Sequence, residues 1–212
     1  MIIISKVYFR YGTMDSSKTA RLLMDAHEYA QRGEFALLIK PSTDTRSGKG
    51  KIASRIGLEA NCIDADEGCN IFDLVKNMEY RPECILIDEA QFLTEMQVVN
   101  LRMVANVLRI PVMCYGLKSD FRGRLFEGSK ALFEHADKLE EVKTICREEG
   151  CKNKAMYNGR FIDGKPVFEG EVVAVGETNK NNEGEREYYY VPKCSLHFFS
   201  DLAKYHNGVK EG

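Results

Sequence analysis

Three groups of residues in this chain have the types and spacing to do chemistry. Tyr11-Gly12-Thr13-Met14-Asp15-Ser16-Ser17-Lys18-Thr19 carries a glycine, a lysine and a hydroxyl in the Gly-x-x-x-x-[Gly]-Lys-[Ser/Thr] order of a phosphate-binding loop. Unpaired backbone N–H groups at a helix N-terminus grip a polyphosphate; Lys18 then lies along the β/γ-phosphates and the Thr19 hydroxyl ligates Mg²⁺. Asp88-Glu89 follows the apolar run Cys84-Ile85-Leu86-Ile87. Asp88 there holds Mg²⁺ through water, and Glu89 is free to accept a proton. Cys146-x₄-Cys151 and Cys194-x₂-His197 make a closed set of four soft or borderline ligands that suits tetrahedral Zn²⁺ in a structural role, with none spare for chemistry. The bland alternatives are an ordinary strand–turn–helix, two acids leaving a core, and free surface thiols. The coupling of the first two groups and the pairing in the third weigh against them.

The phosphate loop has a departure. Ser17 stands where glycine is usual, and a side chain there is costly if the backbone is left-handed. Asp15 adds a carboxylate near where phosphates would sit.

These groups need elements to position them. Ile2 to Phe9 is rich in the β-branched and aromatic residues of strands, and Ala20, Leu23, Met24, His27 and Ala30 recur at helical spacing up to Gly33. Phe35 to Ile39 reads as a second buried strand, stopped at Pro41. The polar stretch Ser42 to Lys51 reads as a surface loop. Loops past strand ends in α/β sheets often touch ligand, and Arg46 could meet a phosphate bidentately or simply be solvated. A helix over 71–78 and the strand ending at Asp88 come next. Thr94 with Gln97 spells a capping box ahead of the core stripe Val98, Leu101, Val104, Ala105 and Leu108. Pro111 to Leu117 is another strand. The aromatic and basic loop 118–126 could wall a base pocket, although Phe121 and Phe126 taken singly read as core anchors.

Alternating β and α patterns to about residue 140 predict an α/β fold with a mostly parallel sheet. After Ile145 the character changes to short β runs turning at Asp163-Gly164, a polar insert, and Tyr188-Tyr189-Tyr190. The expected domains are therefore 1–144, a nucleotide-binding core, and 145–212, a small β module that gains stability from its metal.

The bulk numbers agree. With 212 residues, 44% hydrophobic and 29% charged, the chain describes a soluble globular protein. A net charge of −2 gives no basic footprint, so nucleic acid is not expected as a partner. No apolar run approaches the roughly 20 residues of a membrane helix, and Lys6 and Arg10 interrupt any signal-peptide layout. The expectation is a cytoplasmic protein. In a reducing compartment, metal binding outranks disulfides for the C-terminal thiols, and Cys84 and Cys114 read as small buried hydrophobes.

The ordered set Tyr11-Gly12-Thr13-Met14…Lys18-Thr19, Asp44-Thr45-Arg46, Ile87-Asp88-Glu89-Ala90-Gln91-Phe92, Gly116-Leu117…Asp120-Phe121-Arg122-Gly123 and the Cys/His pairs resembles the zinc-containing (type II) cytosolic thymidine kinase family over nearly the whole chain. The resemblance implies a P-loop NTPase (RecA-like) core with a zinc-binding lasso domain. It implies transfer of the γ-phosphoryl of MgATP to the 5′-hydroxyl of thymidine or deoxyuridine, a homotetramer, and feedback inhibition by dTTP. By position, it implies that Gly12, Thr13, Met14, Asp15, Ser16, Ser17 and Lys18 cradle the triphosphate and that Thr19 and Asp88 organise Mg²⁺. Glu89 would be the general base, and Arg46 would face the transferred phosphate. Met14, Phe92, Leu117, Phe121 and Phe126 would form the nucleoside pocket, Tyr190 would pack on thymine, and Val173, Val175 and Gly176 would bind the base edge. Beyond Asp15 and Ser17, the chain departs from the family in the four-residue spacing of the first thiol pair, in Glu177, and in an insert at 178–187. A divergent P-loop paralogue with altered nucleoside specificity is the alternative. A helicase would need a second RecA-like half, and a nucleic-acid-binding zinc ribbon would need a basic stripe where residues 169–187 are acid-rich.

Overall fold

The computed structural model describes residues 5–172 and 188–209. Its first part is built on six parallel strands. In chain order these are β1 (Val7–Gly12), β2 (Ala36–Pro41), β5 (Ile63–Ala65), β6 (Cys84–Ile87), β7 (Val112–Leu117) and β8 (Lys138–Glu141), with the hairpin β3 (Lys51–Ala53) and β4 (Glu59–Asn61) standing apart. The spatial order is β5-β2-β6-β7-β1-β8, every pairing parallel. Such strands are buried on both faces and read as continuous apolar runs, as Leu37-Leu38-Ile39 and Ile85-Leu86-Ile87 do.

Successive side chains point to opposite faces, which divides the core in two. Phe9, Leu37, Ile39, Ile85 and Ile87 face helices α2 (Ile71–Lys76), α3 (Glu95–Met103) and α4 (Glu127–His135). Leu38, Cys84, Leu86 and Tyr115 face α1 (Lys18–Gln31), through Leu22 and Leu23. The Thr94–Gln97 capping box is present in both directions, and the apolar stripe behind it is buried up to Ala105 and half-buried at Leu108, where the helix continues as a π-helical segment over Val104–Leu108. Register sets Ile87 beside Cys114, and Gly12 beside Leu117. The carboxyl ends of β1, β6 and β7 therefore open side by side, where α/β sheets bind ligands.

The hairpin β3–β4, the strands β5 and β8, a strand over Tyr188–Lys193 and the last helix were not anticipated. The polar stretch after Pro41 runs into the β3–β4 hairpin and then the edge strand β5. Strand β8 is Lys-Leu-Glu-Glu, an edge sequence without apolar alternation. The C-terminal module contains three antiparallel strands, β9 (Tyr157–Ile162), β10 (Lys165–Val167) and β11 (Tyr188–Lys193), turning at Asp163 and Gly164 with φ of 49° and 75°. It also contains the fifteen-residue helix α5 (Ser195–Val209). The module is less thin than expected, for Phe161, Phe168 and Phe198 are buried in it. Among the described residues, no helix is long and apolar enough to cross a membrane.

Candidate active site

Strand β1 ends on Gly12, where the chain passes too close to its neighbours for any side chain. A Cβ there would lie 2.5 Å from the Val142 carbonyl oxygen and 2.6 Å from Ser16 Oγ. The turn that follows holds two non-glycine residues in the left-handed region, Asp15 and Ser17, both with φ of 60°. Ser17 is the residue before the lysine, so the cost attached to it is present; its side chain makes no capping hydrogen bond. Lys18 opens α1, and its buried ammonium donates to the Thr13 carbonyl at 2.7 Å and to Ser16 Oγ at 3.1 Å. Burial pushes its pKa down to about 8, against the pull of Glu89 and Asp88. Thr13 Oγ1 is buried with no partner among the described residues. An orphaned buried hydroxyl in the same turn as the Lys18 ammonium fits an anionic ligand.

The acid pair lies directly opposite. The Thr19 hydroxyl is 3.1 and 3.2 Å from the two Asp88 carboxylate oxygens, so the loop and the end of β6 share one site. Asp88 and Glu89 are both buried. Burial, with the Glu89 charge added to it, pushes Asp88 above the usual carboxylate range. Burial acts on Glu89 in the same sense, but the charges of Arg46 and Lys18 outweigh it and hold Glu89 below its ordinary value. Glu89 itself is left-handed, with φ of 48°, a conformation that costs of order 1–3 kcal/mol and collects at functional sites.

Arg46 reaches in from the loop after β2. Its Nε donates to Asp44 Oδ1 at 2.7 Å, and its Nη2 contacts Glu89 Oε1. Burial would lower the Arg46 pKa, yet the Glu89 and Asp44 carboxylates raise it. Two residues that sequence reasoning passed over complete the frame. Gln91 Nε2 donates to Glu89 Oε2 at 2.5 Å, and its Oε1 accepts from Leu117 N at 2.9 Å. Gly116 permits this approach, since a Cβ there would lie 2.7 Å from Gln91 Oε1. Asn158, on β9, accepts from Met14 N at 2.8 Å, tying the C-terminal module to the phosphate loop. Gln91 stood beside the acid pair in the motif, whereas nothing in its surroundings marked Asn158.

A cavity of about 500 Å³ runs from the phosphate loop along the ends of these strands. Met14, Phe92, Leu117, Phe121, Phe126 and Tyr190 all line it, as do Arg46, Asp88 and Glu89. Phe92 and Phe126 meet edge to face with centroids 5.6 Å apart. Phe121 is buried beneath the Arg160 guanidinium, which lies 3.5 Å from its ring centroid, so it anchors its loop and lines the cavity at once. Val172 contributes to the wall, while Val173, Val175 and Gly176 lie outside the described residues.

The four expected metal ligands also converge. Cys146 and Cys151 flank a turn through left-handed Gly150, Cys194 follows β11, and His197 sits in the first turn of α5. Their donor atoms all lie within 4.8 Å of one another. Cys146 Sγ and Cys194 Sγ are 3.5 and 3.3 Å from His197 Nδ1, and Cys151 Sγ is 4.0 Å from Cys194 Sγ. Tetrahedral Zn²⁺, with bonds of about 2.3 Å to sulfur and 2.0 Å to nitrogen, separates its ligands by roughly 3.5–3.8 Å. The set is compatible with zinc.

A family profile described as thymidine kinase matches residues 5–198. The chain is 46% identical to a thymidine kinase of Lactococcus lactis, over 92% of this chain and 98% of that one. It is 44% identical to a thymidine kinase of Enterococcus faecalis (92% and 95% covered) and 44% identical to one of Lactiplantibacillus plantarum (92% and 96%). With a lysine-bearing turn, an acid pair and an aromatic-walled cavity at the carboxyl ends of one sheet's strands, and relatives matched along almost their whole length, this chain belongs to the thymidine kinase family.

Proposed function

We propose that this protein is an ATP-dependent thymidine kinase, moving the γ-phosphoryl group of ATP to the 5′-hydroxyl of thymidine or deoxyuridine. The observation that carries the reading is the Thr19–Asp88 contact, which sets the cradle and the acid pair at the mouth of one aromatic-lined cavity. Phosphoryl transfer asks for positioning and charge neutralisation more than for covalent help. Lys18, Thr13 and the loop amides hold the triphosphate. Thr19 and Asp88 are the residues that would hold Mg²⁺, whose part is to neutralise charge on the phosphate oxygens. Phe92, Phe126 and Tyr190 take the flat base by stacking and exclude water.

Glu89 is kept ionised by Arg46 and Lys18, so it is ready to accept a proton but a weak base while that ion pair lasts. An arriving phosphate competes for the Arg46 guanidinium. As Arg46 turns to it, Glu89 gains basicity beside the nucleoside hydroxyl. The 5′-oxygen then bonds to the γ-phosphorus, the bond to the β-phosphate oxygen breaks, ADP leaves, and the hydroxyl proton passes to Glu89.

The same reading assigns zinc to the Cys146, Cys151, Cys194 and His197 set in a structural role and divides the chain at 144/145. It places the enzyme in the cytoplasm as a homotetramer inhibited by dTTP. The test is a panel of deoxynucleosides with radiolabelled ATP, scored for 5′-monophosphate. Thymidine and deoxyuridine are expected to be labelled, and transfer to neither refutes the reading. Glu89→Gln is expected to keep nucleotide binding and lose on the order of 10²–10⁴-fold in turnover; near-normal turnover would remove Glu89 from the base role.

A further inference from the structure

Arg46 sits on a polar loop, and a long side chain on such a loop loses much rotamer freedom when held in one place. Something must fix the loop. Lys40, at the end of β2, is 1% exposed, and lysine is almost never fully buried unless paired. Its ammonium donates to the Gly48 carbonyl at 2.8 Å and lies 3.9 Å from both an Asp44 and an Asp64 carboxylate oxygen. Those two carboxylates hold the loop on either side of Arg46. Asp44 Oδ1 accepts from Arg46 Nε at 2.7 Å, and Asp64 Oδ2 accepts from Gly50 N at 2.7 Å. Packing alone would be served by an apolar residue, as at Leu38 and Ile39 beside it. A buried ammonium costs desolvation, and what it supplies here is a donor and a positive charge under the segment from Asp44 to Gly50.

We propose that Lys40 is a positioning residue for the transfer step: through Asp44, Gly48 and Asp64 it fixes the loop that delivers Arg46 to Glu89 and to the phosphate. This inference rests on the kinase reading for its effect on turnover, but not for its effect on the loop. It predicts a defect in the transition state more than in binding, because Arg46 lies at the reacting group and not along the nucleoside wall.

The test uses the full chain and two variants. Lys40→Met removes the ammonium. Lys40→Met/Asp64→Asn removes it with one carboxylate, so that the charge left behind is smaller. Both are expected to lose about 10²-fold in kcat, the scale of a misplaced catalytic group, with KM for ATP and for thymidine changed less than about threefold. Limited trypsin digestion, read by mass spectrometry, is expected to cut both variants after Arg46, Lys49 and Lys51 sooner than anywhere else, and sooner than it cuts the parent there. Parent-like kcat, or parent-like resistance at those bonds, overturns the proposal. So does a general loss of resistance along the chain in both variants, which marks Lys40 as a support of the whole fold. Should the parent itself fail to phosphorylate thymidine, the kinase reading falls, and the digestion pattern still decides whether Lys40 holds the loop.

Discussion

Most fully buried positions of the six-stranded sheet are apolar on both faces, among them Ile39, Ile85, Leu86, Ile87 and Val112, with Lys40 at the end of β2 the charged exception. The buried positions of the three-stranded sheet include Asn158, Arg160 and Lys193 beside Phe161. The large sheet stands on apolar area removed from water, which needs no partner atom in any particular place. The small one stands on directed contacts. Arg160 donates to the Glu171 carbonyl at 2.9 Å, Lys193 pairs with Asp201 at 3.2 Å, Tyr157 stacks on Phe198 with centroids 4.3 Å apart, and the thiols and His197 close around one point. Yet each sheet contributes to the same cavity, the first through its strand ends and the second through Asn158 and Tyr190. The chemistry is mounted on a rigid frame, and the wall facing it is mounted on a frame whose stability is conditional.

Removal of the proposed zinc should separate the two frames most widely. Structural zinc sites are worth on the order of 10–16 kcal/mol at pH 7. Dialysis against a strong chelator is expected to abolish amide-exchange protection in β9, β11 and α5 while leaving it in β2, β6 and β7. Unchanged protection in β9–β11 would show that the aromatic contacts alone hold the module and would erase the distinction drawn here.

The converse lies in the large sheet. Leu86 is fully buried against Leu22, Leu23 and Tyr115, so Leu86→Ala is expected to cost about 2–5 kcal/mol, measured by urea unfolding of the metal-loaded protein. A loss below 1 kcal/mol would mean that this face repacks freely and is no more demanding than the module. A smaller effect is expected from Phe198→Leu, which keeps apolar volume but removes the stack on Tyr157 and the edge contact with Phe168. Such pairs are worth about 0.5–1.5 kcal/mol beyond area. The loss should appear as a lower chelator concentration for opening the module, with Leu86 protection untouched.

The same contrast explains what could be read from the sequence. Strands β2, β6 and β7 announce themselves because burial on both faces writes unbroken apolar runs. The convergence of the glycine-to-lysine turn with the acid pair, and of the four Cys/His side chains with one another, was legible because the chemistry expected of them fixes residue types at fixed spacing. Strand β8 was not, since an edge strand takes its hydrogen bonds from β1 whatever its side chains are. Helix α5 was hidden by Cys194 and His197, whose spacing speaks for a metal site and not for the helix that carries one of them. Lys40, Gln91 and Asn158 act through hydrogen bonds to residues 8, 26 and 144 positions away, a kind of partnership that leaves no local pattern.

Ser17 offers the finest test of the rigid side. It is exposed and left-handed, and its side chain makes no capping hydrogen bond, so replacing it by glycine removes no cap. A left-handed L-residue carries roughly 1–2 kcal/mol of strain, and glycine gives back about 0.5–1 kcal/mol through its freer unfolded chain. Ser17→Gly is therefore expected to stabilise by up to about 1 kcal/mol, a rise in Tm of roughly 2–4 °C for a chain of this length. The gain should appear in the sheet transition and not in the opening of the metal module. It should also lower KM for ATP, because a glycine amide lets a phosphate oxygen approach more closely. A lower Tm would mean that the serine is held there by a contact worth more than its strain, and the phosphate loop would then share the conditional character of the opposite wall.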